Sequence, residues 1–308
     1  MNLHANRLVG QFYIDWMPAR TKSLIQNTGA FVYTNGTFTE VFPTPDNKLV
    51  TASATLKEFF GDVGTPEKLK SNRAKEFCGR NLEFVRTAKK RQIDLIYSEP
   101  EHKNQIYDVD LKIQETRCRT HNKMKSKNVP KCLWDYCHKH SAQIRQIIPC
   151  NKLQGQTALE SVTGRTPDIS EYCDFDFYDL VWYHPGIHPS ISKDNRALDR
   201  WTGISHQIGS DMCYWILTDN GDVIAETTVQ HVLREEYNDP DIKPQIEQFN
   251  ASVITSLDDT NFQLEPGTPL ALDDDSEAPW DSQYDKNAEP LADADDVYWQ
   301  KDSDDFVV

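Results

Sequence analysis

The sequence predicts an α/β fold in which a mixed sheet flanked by helices is followed by a small β-barrel and a disordered acidic tail. Three observations predict it. Strand-like runs and segments of helical spacing are interleaved up to about residue 125, four or five short strand-like runs crowd into about 60 residues after Asp174, and apolar periodicity is lost beyond about Leu233. The boundaries follow: a core over residues 1–125, a helical extension over 126–173, the barrel over 174–233, and a linker with the acidic tail over 234–308.

Residues 8–17, LVGQFYIDWM, mix aromatic and β-branched side chains and read as a strand. FVYT and TFTEVF flank Asn35-Gly36, whose tolerance of positive φ predicts a hairpin with a two-residue turn. Leu49, Ala52, Leu56, Phe59 and Phe60 then recur at helical spacing. Residues 68–72 form a short strand, Phe77, Phe84, Val85 and Ala88 a helical face, and IDLIY another strand. Ile106, Val109 and Ile113 open a further helix. Past Pro130, well suited to a first turn, Leu133, Trp134, Cys137, Ser141, Ile144 and Ile148 line one side of a long helix, with Lys131, His138 and Arg145 on another. In the barrel, CYWILT and VIAETTV are joined by Asp219-Asn220-Gly221-Asp222, a strong hairpin signal.

Of the 308 residues, 48 are acidic and 33 basic, and the charge is unevenly divided. Residues 258–308 carry 16 acidic side chains against Lys286 and Lys301, whereas residues 68–152 carry 20 basic against 9 acidic. A basic middle attracts polyanions, and weak, non-specific DNA binding follows as the expectation. Lys89, Lys90, Arg91, Arg117, Arg119, Lys123, Lys125 and Lys127 are the candidate phosphate contacts. The competing reading is a solvated basic helix surface. The tail, with Trp280, Tyr284, Tyr298, Trp299 and Phe306 among its acids, is expected to bind basic partners. No apolar run reaches the length of a membrane helix and no signal peptide opens the chain, so a nuclear or cytoplasmic protein without membrane contact is expected. Seven scattered cysteines predict reduced thiols.

Two clusters invite metal readings. CLWDYCHKH places Cys132, Cys137, His138 and His140 within one predicted helix, which cannot wrap a tetrahedral ion, so core cysteines with surface histidines are expected. Asp273-Asp274-Asp275 lacks the glycine and glutamate of a calcium loop and reads as a solvated run. Asp15 differs, because a carboxylate after Phe12-Tyr13-Ile14 on a central strand is costly unless paired or metal-bound.

FYIDWMPARTKS, SNRAKEF, LWDYC, TGRTPDIS and RWTGISHQIGSDMCYWILTDNGDVIAETTVQHV occur in that order from about Phe12 to Val232. Together they resemble the integrase of copia-type LTR retrotransposons. The resemblance implies a ribonuclease H-like core, a small SH3-like barrel, and a polynucleotidyl transferase using three carboxylates to hold two Mg2+ ions for DNA integration. The first carboxylate falls on Asp15, the second on Asn72, where the aspartate is lost, and the third on Val109 or Asp110, depending on whether Glu99-Pro100 or Ile113 and Glu115 set the register. Asparagine offers one carbonyl oxygen and no charge, and Arg73 beside it adds a positive one. The expectation is therefore a transposable-element protein with a degenerate active site, retaining nucleic-acid affinity but not Mg2+ or activity, with Asp15 the one remaining metal ligand. Self-association is left open. Two alternatives stand beside it: an interaction protein acting through the acidic-aromatic tail, and a metal nuclease using Asp15 with Glu76, Asp108 or Asp110 as substitutes.

Overall fold

A computed structural model describes residues 6–78, 82–99, 107–185, 196–205 and 213–257, without the side chains of 107–109. The acidic tail lies outside these residues, as do Asp273 to Asp275.

The first sheet comprises β1 (Arg7–Pro18), β2 (Gly29–Thr34), β3 (Thr39–Thr44), β4 (Thr65–Ser71) and β5 (Asp94–Tyr97), in the order β3-β2-β1-β4-β5. β1, β2 and β3 pair antiparallel, whereas β4 runs parallel to β1 and β5 parallel to β4. This is the mixed sheet flanked by helices that the sequence predicts. Strand alternation sorts its side chains. Phe12, Ile14, Phe31, Tyr33, Phe42 and Leu69 pack with Leu56 and Phe59 of α1 (Leu49–Asp62) and Phe84, Val85 and Ala88 of α2 (Glu83–Lys90). Tyr33 stacks on Phe59 with ring centroids 4.6 Å apart. Met17, Ala30, Val32 and Val41 point to the other face, against Ile113 of α3 (Tyr107–Lys127) and Trp134 and Ala142 of α4 (Trp134–Ile147). Gly29 is obligatory at the β1–β2 pairing, because a Cβ there would run into the Trp16 ring and the Met17 carbonyl.

The β2–β3 hairpin is present, but its connection has four residues rather than two: Thr34 pairs with Thr39. Asn35 Oδ1 accepts from the backbone N–H of Thr37 (3.1 Å) and Phe38 (2.8 Å), Gly36 takes φ +94°, and Phe38 turns its ring into the core instead of extending the strand. Phe77 likewise packs in the core from a turn, ahead of α2.

Two short helices, α5 (Ala158–Thr163) and α6 (Ser170–Cys173), lead into a second sheet of β6 (Leu180–Tyr183), β7 (Ala197–Ile204), β8 (Tyr214–Leu217), β9 (Val223–Glu226) and β10 (Val229–His231), in the antiparallel order β10-β6-β7-β8-β9. The expected closed barrel is not formed, since no ladder joins β9 to β10 among the described residues. The sheet is nonetheless strongly curled. Only two residues separate β9 from β10, a reach of about 10 Å, yet these strands occupy opposite edges. Its core gathers Phe175, Phe177, Val181, Trp201, Ile216 and Leu217 together with Cys132, Leu133 and Cys137 around α4.

α4 thus serves both sheets, and this corrects the expectation of surface histidines. His138 and His140 are 1% and 2% exposed. Thr120 Oγ1 lies 2.9 Å from His138 Nδ1, and the His140 ring packs against Phe177 and Trp201. Burial lowers both pKa values to about 3, so both imidazoles are neutral. Ile148 falls beyond the helix and is exposed.

A second correction concerns the segment after Leu233. Residues 234–257 are not a linker: α7 (Lys243–Ser256) sends Phe249, Val253 and the following Leu257 into the core of the second sheet. Arg200 on β7 ties it down, donating to Asn250 Oδ1 at 2.8 Å and to the Tyr178 carbonyl at 2.9 Å. All seven cysteines are free thiols. No helix of the described residues is long and apolar enough to cross a membrane.

Candidate functional site

Asp15 lies on β1, and Asn72 follows β4, the strand hydrogen-bonded alongside it; Ile14 and Ser71 are in register. Sheet geometry therefore brings these two positions, 57 residues apart in sequence, to one strand end. Asn72 Nδ2 donates to Asp15 Oδ1 at 3.0 Å, and the same oxygen accepts from the Trp16 N–H at 2.9 Å. The orientation of the carboxamide is fixed from its other end, where Asn72 Oδ1 accepts from the Ala74 N–H at 3.0 Å. Flipping the amide would set NH2 against N–H on one side and oxygen against carboxylate on the other.

The carboxyl of Asp15 is raised to about 6, chiefly by burial, with the Trp16 N–H opposing and the charges of Asp110 and Glu76 adding to the rise. Asp110 of α3 is thus close enough to be felt at Asp15. The side chains of Val109 and Asp108 lie outside the described residues. Glu115, five residues further along α3, turns to cations instead: against the burial that would raise it, Lys112 first, then Arg119 at 3.1 Å and Arg145 at 3.9 Å hold it below the usual carboxylate range.

Whether this arrangement fits the two ions implied by the resemblance can be judged from its donors. A divalent cation needs oxygen acceptors turned towards it, but the position facing Asp15 presents an N–H donor. Asp15 feels the charges of Asp110 and Glu76, yet among the described residues no group of three or more His, Cys, Asp or Glu side chains is placed to hold a metal ion. The described residues do not fit the pair of ions.

The candidate phosphate contacts divide into two sets. On α3, Lys123 pairs with Asp176 at 3.1 Å, and Lys127 pairs with Asp176 at 3.1 Å and Asp179 at 2.8 Å. These contacts hold Asp176 at about 2, with Lys123 the first attractive cause after the opposing desolvation, and raise Lys127. Arg119 is engaged by Glu115, Arg117 lies on the same helix near enough to depress His138 further, and Lys125 is exposed in the last turn. Much of the positive charge of α3 is therefore spent within the fold, because Asp176 and Asp179, distant in sequence, return to meet it. Lys89, Lys90 and Arg91 stand exposed at the end of α2.

The sequence reading missed two polar clusters. Asp135 is buried in the first turn of α4 and receives Asn27 Nδ2 at 2.9 Å, fastening the loop after β1. Asp199, on β7, is 2% exposed, and its Oδ2 has no hydrogen-bond partner among the described residues. An aspartate between Leu198 and Arg200 in a strand run carries no local sign of that environment.

No family model matches the chain, and no curated protein does. Among solved structures, the catalytic core domain of BIV integrase is similar to 49% of this chain and 92% of that one, at 13% identity and a TM-score of 0.39.

Proposed function

We propose that the chain is an integrase-derived protein with a ribonuclease H-like core that binds nucleic acid and does not cut or join it. The observation that carries this reading is the Asn72–Asp15 pair. The two positions that the copia-type resemblance assigns to carboxylates meet where the parallel β1–β4 ladder ends, which supports the resemblance. One of them now donates a hydrogen bond where a metal ligand should accept, which supports loss of the chemistry. The curled second sheet stands where the resemblance places its SH3-like barrel, and the basic middle of the chain supports affinity for phosphates.

Purified protein is offered duplex DNA and a donor end in Mg2+ or Mn2+. Neither nicking nor joining is expected, for the parent or for Asp15→Asn. Turnover that Asp15→Asn abolishes would overturn the reading in favour of a metal nuclease using Asp15 with Glu76, Asp108 or Asp110 as substitutes.

A further inference from the structure

Helix α2 buries Phe84, Val85 and Ala88 and turns its opposite side to solvent. Arg86, Lys89 and Lys90 stand on that side at i, i+3 and i+4, so their side chains are neighbours, and Arg91 follows at the helix end. Arg7 reaches over from β1, and its guanidinium donates to the carbonyls of Arg91 at 2.7 Å and Gln92 at 2.8 Å. This caps two carbonyls just past the helix terminus and fixes a further cation beside the lysines. Arg91 is itself held over the Phe60 ring, 5.8 Å from its centroid. The one acid on the helix, Glu83, is bonded by Lys57, and its pKa is drawn down by Lys57 first, then Lys90 and Arg86. Unlike Lys123 and Lys127 on α3, neither Lys89 nor Lys90 is committed to an ion pair among the described residues.

Alternation along β1 separates this patch from Asp15. Phe12 and Ile14 face α1 and α2, whereas Tyr13 and Met17 face α3 and α4, which puts Asp15 on the side of the sheet away from α2. The geometry points to a phosphate-binding surface at the C-terminal end of α2, formed by Arg7, Arg86, Lys89, Lys90 and Arg91, holding a nucleic-acid backbone on the opposite side of the first sheet from Asp15. Such a surface recognises phosphodiester charge rather than bases, and serves binding that leads to no reaction at Asp15. It rests on the nucleic-acid reading above and gives that reading a location.

Full-length protein is titrated with labelled duplex DNA and duplex RNA across a salt series, beside Lys89→Gln/Lys90→Gln and the α3 control Lys125→Gln. The double variant should lose roughly tenfold in affinity near 0.1 M salt and flatten the log K against log salt slope by about 2, with the control close to the parent. All three changed positions are exposed, so folding is preserved, as circular dichroism verifies. An unchanged affinity and slope in the double variant would overturn this placement while leaving nucleic-acid binding intact. A parent that binds neither duplex would overturn both. Preference of the patch for polyglutamate over both duplexes would reassign it to an acidic protein partner and overturn the proposal.

Discussion

Replacing Asp199 with asparagine should stabilise the protein, by an amount that grows with pH. Asp199 sits on the central strand of the second sheet, 2% exposed, with Oδ2 unpartnered among the described residues. Curling of the sheet brings Asp219 and Glu226 near it, and its carboxyl is pushed up to about 8, first by burial and then by those two charges. Tyr183 feels the same cluster and is raised to about 12, by burial first and then by Asp199, Glu226 and Asp219. The sign follows from proton counting. Between the unfolded value, near 3.8, and about 8, the folded chain holds a proton that the unfolded chain has released. Stability is fully present below that lower value and is lost as pH rises towards 8, at up to about 1.4 kcal/mol per pH unit. At pH 7 the loss reaches about 4 kcal/mol, a large part of the 5 to 15 kcal/mol typical of a domain.

Asparagine has nearly the same shape and nothing to ionise. The gap in unfolding free energy between Asp199→Asn and the parent should widen by about 4 kcal/mol from pH 5 to pH 8. Urea unfolding followed by tryptophan fluorescence at four pH values measures it. Parallel pH curves for the two proteins would refute the argument, because they would mean that solvent or a cation already stabilises the charged carboxylate.

The buried histidines work in the opposite direction: their stabilisation is present above pH 6.5 and lost as pH falls towards 3, so His140→Phe should flatten the acid limb of an unfolding profile. An acid limb unchanged in His140→Phe would place that ring in water. Phe249→Ala should cost about 3 to 5 kcal/mol and expose α7 to limited proteolysis ahead of the sheets, whereas uniform cleavage would deny α7 a separate docking contact.

The strands were legible because their runs are rich in aromatic and β-branched residues, and two of the hairpins because their turns carry Asn-Gly or Asp-Asn-Gly-Asp. What the pattern could not supply was tertiary context. α7 does carry a signal, with Pro244 in its first turn and Ile246, Phe249 and Val253 at helical spacing, but acidic and amide residues dilute it. A single apolar stripe on α4 predicts histidines at the surface, whereas a helix packed between two sheets buries two stripes. Of the candidate site, the pairing of Asp15 with Asn72 followed from motif positions alone. The direction of the Asn72 amide depends on the Ala74 N–H, and the neutralisation of Lys123 and Lys127 depends on Asp176 and Asp179, more than 50 residues away.

That amide makes asparagine at position 72 the stable choice for this fold, which yields a final prediction. An aspartate there would set a second carboxylate about 3 Å from Asp15, a repulsion of about 5 kcal/mol at an effective dielectric near 20, reduced by exposure of the site. It would also lose the N–H donor that now offsets the burial of Asp15 and the nearby charges of Asp110 and Glu76. Asn72→Asp should therefore lower stability at pH 7 by about 1 to 3 kcal/mol, with the deficit shrinking as acid protonates the pair. In the same background Asp110→Glu, or Val109→Glu if the register runs the other way, adds a longer carboxylate from α3. A cation that bound such a set would recover stability according to its concentration relative to its Kd. Melting temperatures in Mg2+ and in chelator, with calorimetric Mg2+ titration, separate the two effects. Asn72→Asp as stable as the parent at every pH would show that residue 72 does not face Asp15. A deficit that Mg2+ leaves untouched in both double variants would show that the strand ends no longer hold the spacing an ion requires.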